Sequence, residues 1–266
     1  MIRTLAAVLA LAALAPSAHA DRPAPRRASS QRPAPRKRTP PTKTAKARAR
    51  LIAARGRDHL ELRTIAHGQS VGAPWEGRLQ HPTPMPPSDA YHLRRPARAF
   101  GTAAAVGFLG RAIAETVDTF PDVHVLAIGD LSAPSGGQIT EHRSHQSGRD
   151  ADVGLYYLDQ PAGYPASFVT ATDDNLDCEA TFKLIERLAA TADEDGGVQM
   201  IFLDFDVQGL LYEWALGQGV SEARLGHLFQ FPHGRGSSEG LVRHEPNHDN
   251  HLHVRFRCPA GDSGCQ

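Results

Sequence analysis

The chain reads as an α+β protein, and three observations carry that reading. Two stretches, 101–119 and 179–192, repeat apolar residues at helical spacing. Short β-rich runs stand at 123–129, 198–203 and 251–256. The two kinds of element mix without the regular strand–helix–strand rhythm of a parallel sheet.

In chain order, "GTAAAVGFLGRAIAETVDT" (101–119) predicts a helix, because Leu109, Ile113 and Val117 recur at spacing four. "VHVLAIG" (123–129) is an apolar run closed by glycine and predicts a buried strand. "SAPSGGQ" is a loop that delivers the chain to "EHRSHQSGRDADVGLYY" (141–157), whose end, 152–157, predicts another strand. Residues 179–192 predict an amphipathic helix with Phe182, Ile185 and Leu188 on one face. "VQMIFL" (198–203) predicts a strand, 207–216 a helix, and "HLHVRF" (251–256) a strand. No internal repeat is visible, and no hydrophobic run after residue 20 reaches membrane length.

Charge is balanced overall, with 29 basic and 29 acidic residues, but it is unevenly placed. Residues 21–50 carry eleven Lys/Arg against one acid, with six prolines and no large apolar side chain. Such a segment cannot offset its ordering entropy by burial, which predicts a disordered linker over 21–50. A folded domain is expected over 51–266, where seventeen basic residues face twenty-eight acids. Residues 1–20 have the form of a signal peptide: Arg3, an apolar run from Leu5 to Leu14, then Ala18-His19-Ala20. Export to the periplasm is therefore expected, with no membrane span after cleavage. An exported protein with an acidic body speaks against a nucleic-acid partner. Of three cysteines, Cys258 and Cys265 could close a short loop and leave Cys178 over, but spacing alone leaves the pairing open.

The chemistry concentrates in two segments. His142, His145, Gly148, Asp150 and Asp152 stand close together, and His248, His251 and His253 follow about a hundred residues later. In a strand, His251 and His253 project from the same face. His145 and Asp152 are seven apart and would face opposite ways in a regular strand, but Gly148 lets the backbone turn between them. Two histidines and an aspartate with an open fourth position is a catalytic zinc pattern, and neither segment contains a cysteine for a structural site. Each segment alone would read as solvated polar residues. Together, in an exported chain, they favour a metal site.

"GDLSAPSGGQITEHRSHQSGRDADVGLYY" and "HDNHLHVRFRCP" resemble the two signatures of the penicillin-insensitive murein endopeptidases. These belong with the lysostaphin-type peptidases, the D-Ala-D-Ala metallopeptidases and the hedgehog signalling domain. The resemblance runs from "GQSVGAPWEGRL" at 68–79 to "RCPAGDSGC" at 257–265. It implies a small central antiparallel sheet with flanking helices. It also implies Zn2+ held by His145, Asp152 and His253, with His142 near the metal. His251 matches the catalytic histidine and His248 an assisting one, and Cys258 and Cys265 match a short disulfide loop. The implied substrate is peptidoglycan, cut at the D-alanyl–meso-diaminopimelyl cross-link.

The chain departs from the pattern in two places. Asn250 stands where many relatives carry an acid, which predicts a weaker orienting contact. Asp173 and Asp174 lie between the signatures without a neighbouring histidine, which speaks against a second metal site. Two other readings share the same ligands: a D,D-carboxypeptidase or dipeptidase, and a catalytically silent zinc-containing domain that binds peptidoglycan. Gln146 and Arg149 are read either as holders of a substrate carboxylate or as braces of the loop. Trp75 is read either as lining a cleft or, by preference, as a core residue.

Overall fold

The computed structural model describes residues 41–61 and 67–266. The expected signal peptide and the first part of the expected linker, through residue 40, lie outside the described residues. The end of that linker needs correction, because helix α1 (Lys43–Glu61) already begins inside it. Its sequence lacks large apolar residues until Leu51, but Ala, Lys and Arg are strong helix formers. Thr42 caps the start by accepting the Ala45 N–H at 3.1 Å. Ala49 and Ile52 are buried in the core, which docks the helix on α2 (Ala103–Thr119).

Before α2 come the hairpin β1 (Ser70–Ala73) and β2 (Glu76–Leu79), then β3 (Thr83–Pro84), β4 (Tyr91–Leu93) and β5 (Phe100–Gly101). After it come β6 (Leu126–Ile128), β7 (Asp150–Gly154), α3 (Cys178–Ala189), β8 (Val198–Phe202) and α4 (Phe205–Gly217). Helix α5 (Glu222–Leu228), β9 (Val242–Arg243) and β10 (His251–Phe256) complete the chain. Six strands form the central sheet in the order β4-β6-β7-β10-β8-β9. Its middle is antiparallel, as expected, while the edge pairs β4–β6 and β8–β9 are parallel. The last strand in sequence thus lies at the centre of the sheet.

Helices α2 and α3 supply much of the core. Leu109 and Ile113 of α2 and Leu184, Ile185 and Leu188 of α3 are fully buried, together with Leu126, Ile128 and Phe256 of the sheet. Caps define both starts: Thr102 accepts from Ala105 N–H and Asp177 from Ala180 N–H. The strand expected at 152–157 begins earlier and stops at Gly154. Beyond it, the Tyr156 N–H donates to Thr181 Oγ1 (3.1 Å) and the Tyr157 N–H to His124 Nε2 (2.9 Å). Side chains thus take the bonds a ladder would have used. The disulfide implied by the resemblance is present between Cys258 and Cys265. Among the described residues no helix is long and apolar enough to cross a membrane.

The long loop between β6 and β7 is pinned at Gly136, whose φ is +68°. A Cβ there would sit 2.2 Å from Gln146 O and 2.3 Å from Leu79 N, whereas one on the adjacent Gly137 (φ +77°) would meet nothing within 4 Å. Both alanine variants carry the left-handed backbone penalty of about 1 kcal/mol, roughly 2–4 °C in Tm. Gly136→Ala adds a clash with backbone and should lower Tm at least about twice as far as Gly137→Ala. Thermal melts of the two variants compare them directly; equal losses would contradict the packing described for this loop.

Candidate metal centre

Two neighbouring strands build the centre. Along the β7–β10 pair, His253 lies opposite Asp152 and Arg255 opposite Asp150. Alternation sends residues 251, 253 and 255 to one face of β10, and their partners on β7 point the same way. The result is a ladder of two carboxylates, two imidazoles and a guanidinium on one face of the sheet.

Asp152 Oδ1 is the meeting point. It lies 3.3 Å from His145 Nε2, 3.4 Å from His253 Nδ1 and 3.7 Å from His251 Nε2. Asp152 is buried, yet neither its Oδ1 nor His145 Nε2 has an aligned hydrogen bond. An unsatisfied buried polar atom costs about 1–3 kcal/mol. The other two buried carboxylates here are neutralised by arginines. Asp150 holds Arg255 Nε at 2.7 Å, and Asp130 holds Arg95 and Arg98 at 2.8 and 3.0 Å. Among the described residues no Lys or Arg comes within ion-pair distance of Asp152. Its donor set of one carboxylate and neutral imidazoles fits a divalent cation such as zinc.

His145 reaches this point from a loop. The parity argument from a regular strand does not apply, because β7 starts only at Asp150 and both His145 (φ +66°) and Gly148 (φ +73°) have left-handed backbone. The His145 N–H donates to Asp150 Oδ2 at 3.0 Å, and Nδ1 lies 2.9 Å from the Leu131 carbonyl. With Nδ1 engaged there, Nε2 faces Asp152. Burial alone would lower the His145 pKa, but the carboxylates of Asp152 and Asp150 overcome it and push it up to about 9. Burial would likewise raise the Asp152 carboxyl, yet His145, His251 and His253 hold it well below the usual carboxylate range. A proton thus occupies ground that a bound cation would take over.

His142 stands beside the cluster. Its Nε2–H donates to Asp130 Oδ2 at 2.9 Å and lies 3.7 Å from Asp152 Oδ2. His142, His145 and Asp152 offer ligand atoms within 4.8 Å of one another, and so do Asp130, Glu141 and His142. In that outer group the carboxylates already hold Arg95 and Arg98. The inner group, open to His253 from β10, is the better cation site.

His251 is seated differently. Its Nδ1–H donates to Asn250 Oδ1 at 2.5 Å, and its ring stacks on Phe168 with centroids 4.7 Å apart. Asn250 thus supplies the orienting contact at this position through a neutral oxygen. Burial pushes the His251 pKa down to about 4, against the pull of Asp152. His248 has its ring 4.8 Å from that of His251 and its Nδ1 2.9 Å from the Pro246 carbonyl. All six residues expected at the site are thus brought together.

The residues around the site divide as well. Arg149 is buried and spends its donors on Ser70 Oγ, the Phe256 carbonyl and the Gln266 carbonyl. Gln146 bonds to Gln138 and, through its N–H, to the Pro74 carbonyl. Both brace the loop. Trp75 corrects its expectation: it is 60% exposed at the hairpin tip, with Arg255 5.8 Å from its ring centroid. A glycine-flanked hairpin tip cannot bury so large a ring from both sides. Asp130, Arg255 and Phe168 were not anticipated as site residues, and Asp150 stood in the first segment without a role. For Asp150 a signal existed, since it shares the strand parity of Asp152.

A family model described as "Penicillin-insensitive murein endopeptidase" matches residues 70–202, half of the chain. The chain belongs to this family. Curated relatives of that name are similar to this murein endopeptidase family member over most of its length. The one from Yersinia pestis is 29% identical over 208 residues, covering 74% of this chain and 69% of its own. The one from Pectobacterium atrosepticum is 29% identical over 211 residues, with 74% and 68% covered. One from Klebsiella pneumoniae is 28% identical over 212 residues, with 74% and 69% covered. The family match ends before His248, so in this member the fold itself, through β10, brings the second histidine segment to the first.

Zinc at about 100 times its Kd should stabilise chelator-stripped protein by about 2.7 kcal/mol, a rise of roughly 5–10 °C in Tm. Asp152→Asn and His253→Ala should abolish the rise and His142→Ala should keep most of it, read by thermal melts with and without zinc. Loss in His142→Ala with retention in His253→Ala would move the cation to the outer group.

Proposed function

We propose that this family member is an exported zinc-dependent endopeptidase that hydrolyses peptidoglycan cross-links, the D-alanyl–meso-diaminopimelyl amide above all, in the periplasm. The observation that carries the reading is the convergence of His145 Nε2, His253 Nδ1 and His251 Nε2 on one buried carboxylate that no arginine pairs, Asp152. His145, Asp152 and His253 would hold the cation. When bound, zinc polarises the scissile carbonyl and brings the pKa of water down to about 7.

The remaining work falls to the chain's own groups. His251 is neutral near pH 7, its pKa being pushed down to about 4 by burial. With Nδ1–H held by Asn250, its Nε2 lone pair is free to take a proton from the attacking water and return it to the leaving amine. Stacking on Phe168 keeps the ring from swinging between those two tasks. His248, beside it, is a second group able to carry a proton or orient the substrate. A purely cation-holding site would require neither. No serine or cysteine nucleophile enters the scheme, which accords with the family's name.

The test is hydrolysis of purified cross-linked muropeptide dimers by the full chain with zinc, read by mass spectrometry. Dimers should become monomers; a chelator should stop the reaction, and His251→Ala should slow it by roughly 10²–10⁴-fold. Trimming of monomer stems with intact dimers would make the protein a carboxypeptidase. Zinc bound with neither substrate cut would leave only the binding reading.

A further inference from the structure

We propose that Asp150 is a positioning residue that sets both imidazole arms of the centre: it commits His253 to present Nδ1, and it holds the backbone from which His145 points. This rests on the cation site described above but goes beyond it, since Asp150 is not itself counted among the ligands.

Asp150 is 1% exposed. Such a buried carboxylate must be satisfied from several sides. Its Oδ1 accepts from Arg255 Nε at 2.7 Å and lies 3.2 Å from His253 Nε2. Its Oδ2 accepts from the His145 N–H at 3.0 Å and from Arg255 Nη2 at 3.3 Å. One side chain therefore touches both histidine segments of the sequence, and the guanidinium opposite it on β10 pairs with it.

The consequence for His253 follows from imidazole chemistry. A neutral ring carries one proton, on Nδ1 or on Nε2, and the bare nitrogen is the one able to bind a cation. Both ring nitrogens of His253 face a carboxylate, Nε2 that of Asp150 at 3.2 Å and Nδ1 that of Asp152 at 3.4 Å, so a cation bound at Asp152 leaves Nε2, against Asp150, as the seat of the proton. Nδ1 is then the nitrogen turned to the cation, on the side where His145 also converges. The Asp150–His253 contact is short but bent away from good hydrogen-bond geometry. Its effect is thus chiefly that of a fixed negative charge. The other tautomer would place an N–H against Asp152 and close the site to a cation.

The consequence for His145 is conformational. A non-glycine residue at φ +66° is held against its preference, at a cost of order 1 kcal/mol or more. The hydrogen bond from its N–H to Asp150 fixes that conformation at the residue itself. Asp150 also lies two positions before Asp152 on the same strand, so a shift of one carries to the other.

Two measurements test this on the full chain. In the zinc-loaded protein, two-bond nitrogen–proton NMR spectra of labelled histidine report which ring nitrogen carries the proton, with His253 assigned by difference against His253→Gln. The expected result is the Nε2–H form; the Nδ1–H form would overturn the proposal whether or not any variant folds. In parallel, zinc affinity is read by competition with a chromophoric chelator. Asp150→Asn keeps the shape but loses the charge and should weaken zinc by roughly 10–100-fold. Affinity within about threefold of the wild type would refute the positioning role even if the tautomer were as expected. Failure to cut muropeptide dimers with tautomer and affinity as expected would overturn only the proposed activity. A wild type that binds no zinc overturns the cation site, and the role given to Asp150 with it.

Discussion

Everything in the centre depends on the register of two strands. With His253 opposite Asp152, three functional side chains of β10 and their partners on β7 face the same way. A slip by one residue would turn His251, His253 and Arg255 to the other face and bring apolar Leu252 and Val254 in their place. The register is secured by burial on that other face, where Leu252, Val254, Ala151 and Val153 are all fully enclosed. Core packing thus fixes the chemistry from behind.

The second constraint is electrical. Three buried carboxylates lie within a few residues or one strand of each other, and charge in a low-dielectric interior must be answered. Asp130 and Asp150 are answered by arginines, and Asp152 is answered only by imidazoles. Imidazoles neutralise a carboxylate only by taking up protons, and those same protons can be exchanged for a cation. The arginines therefore do two jobs: they stabilise the surroundings, and they leave one carboxylate available.

Much of this was legible in the sequence. Helices α2 and α3 announced themselves by periodicity, and the parity of His251 and His253 placed both on one strand face. What could not be read were partners far apart in the chain. Arg255 and Asp150 are 105 residues apart, and nothing local links them. The edge strands β4 and β9 have three and two residues, too few for a pattern of alternation to emerge. Helix α1 was hidden by composition: basic, alanine-rich sequence reads as a solvated linker until a docking partner such as α2 exists. The preferred core reading of Trp75 failed because hydrophobicity alone does not say whether a residue at a hairpin tip is covered.

The central claim is that Asp152, left without an arginine, is the anchor of a cation held between β7, β10 and the loop that carries His145. The most direct test is a crystal structure of the zinc-loaded protein with anomalous data collected at the zinc absorption edge. The account predicts one strong peak bonded to His145 Nε2, Asp152 Oδ1 and His253 Nδ1. A peak at Asp130, Glu141 and His142, with none at Asp152, would contradict it.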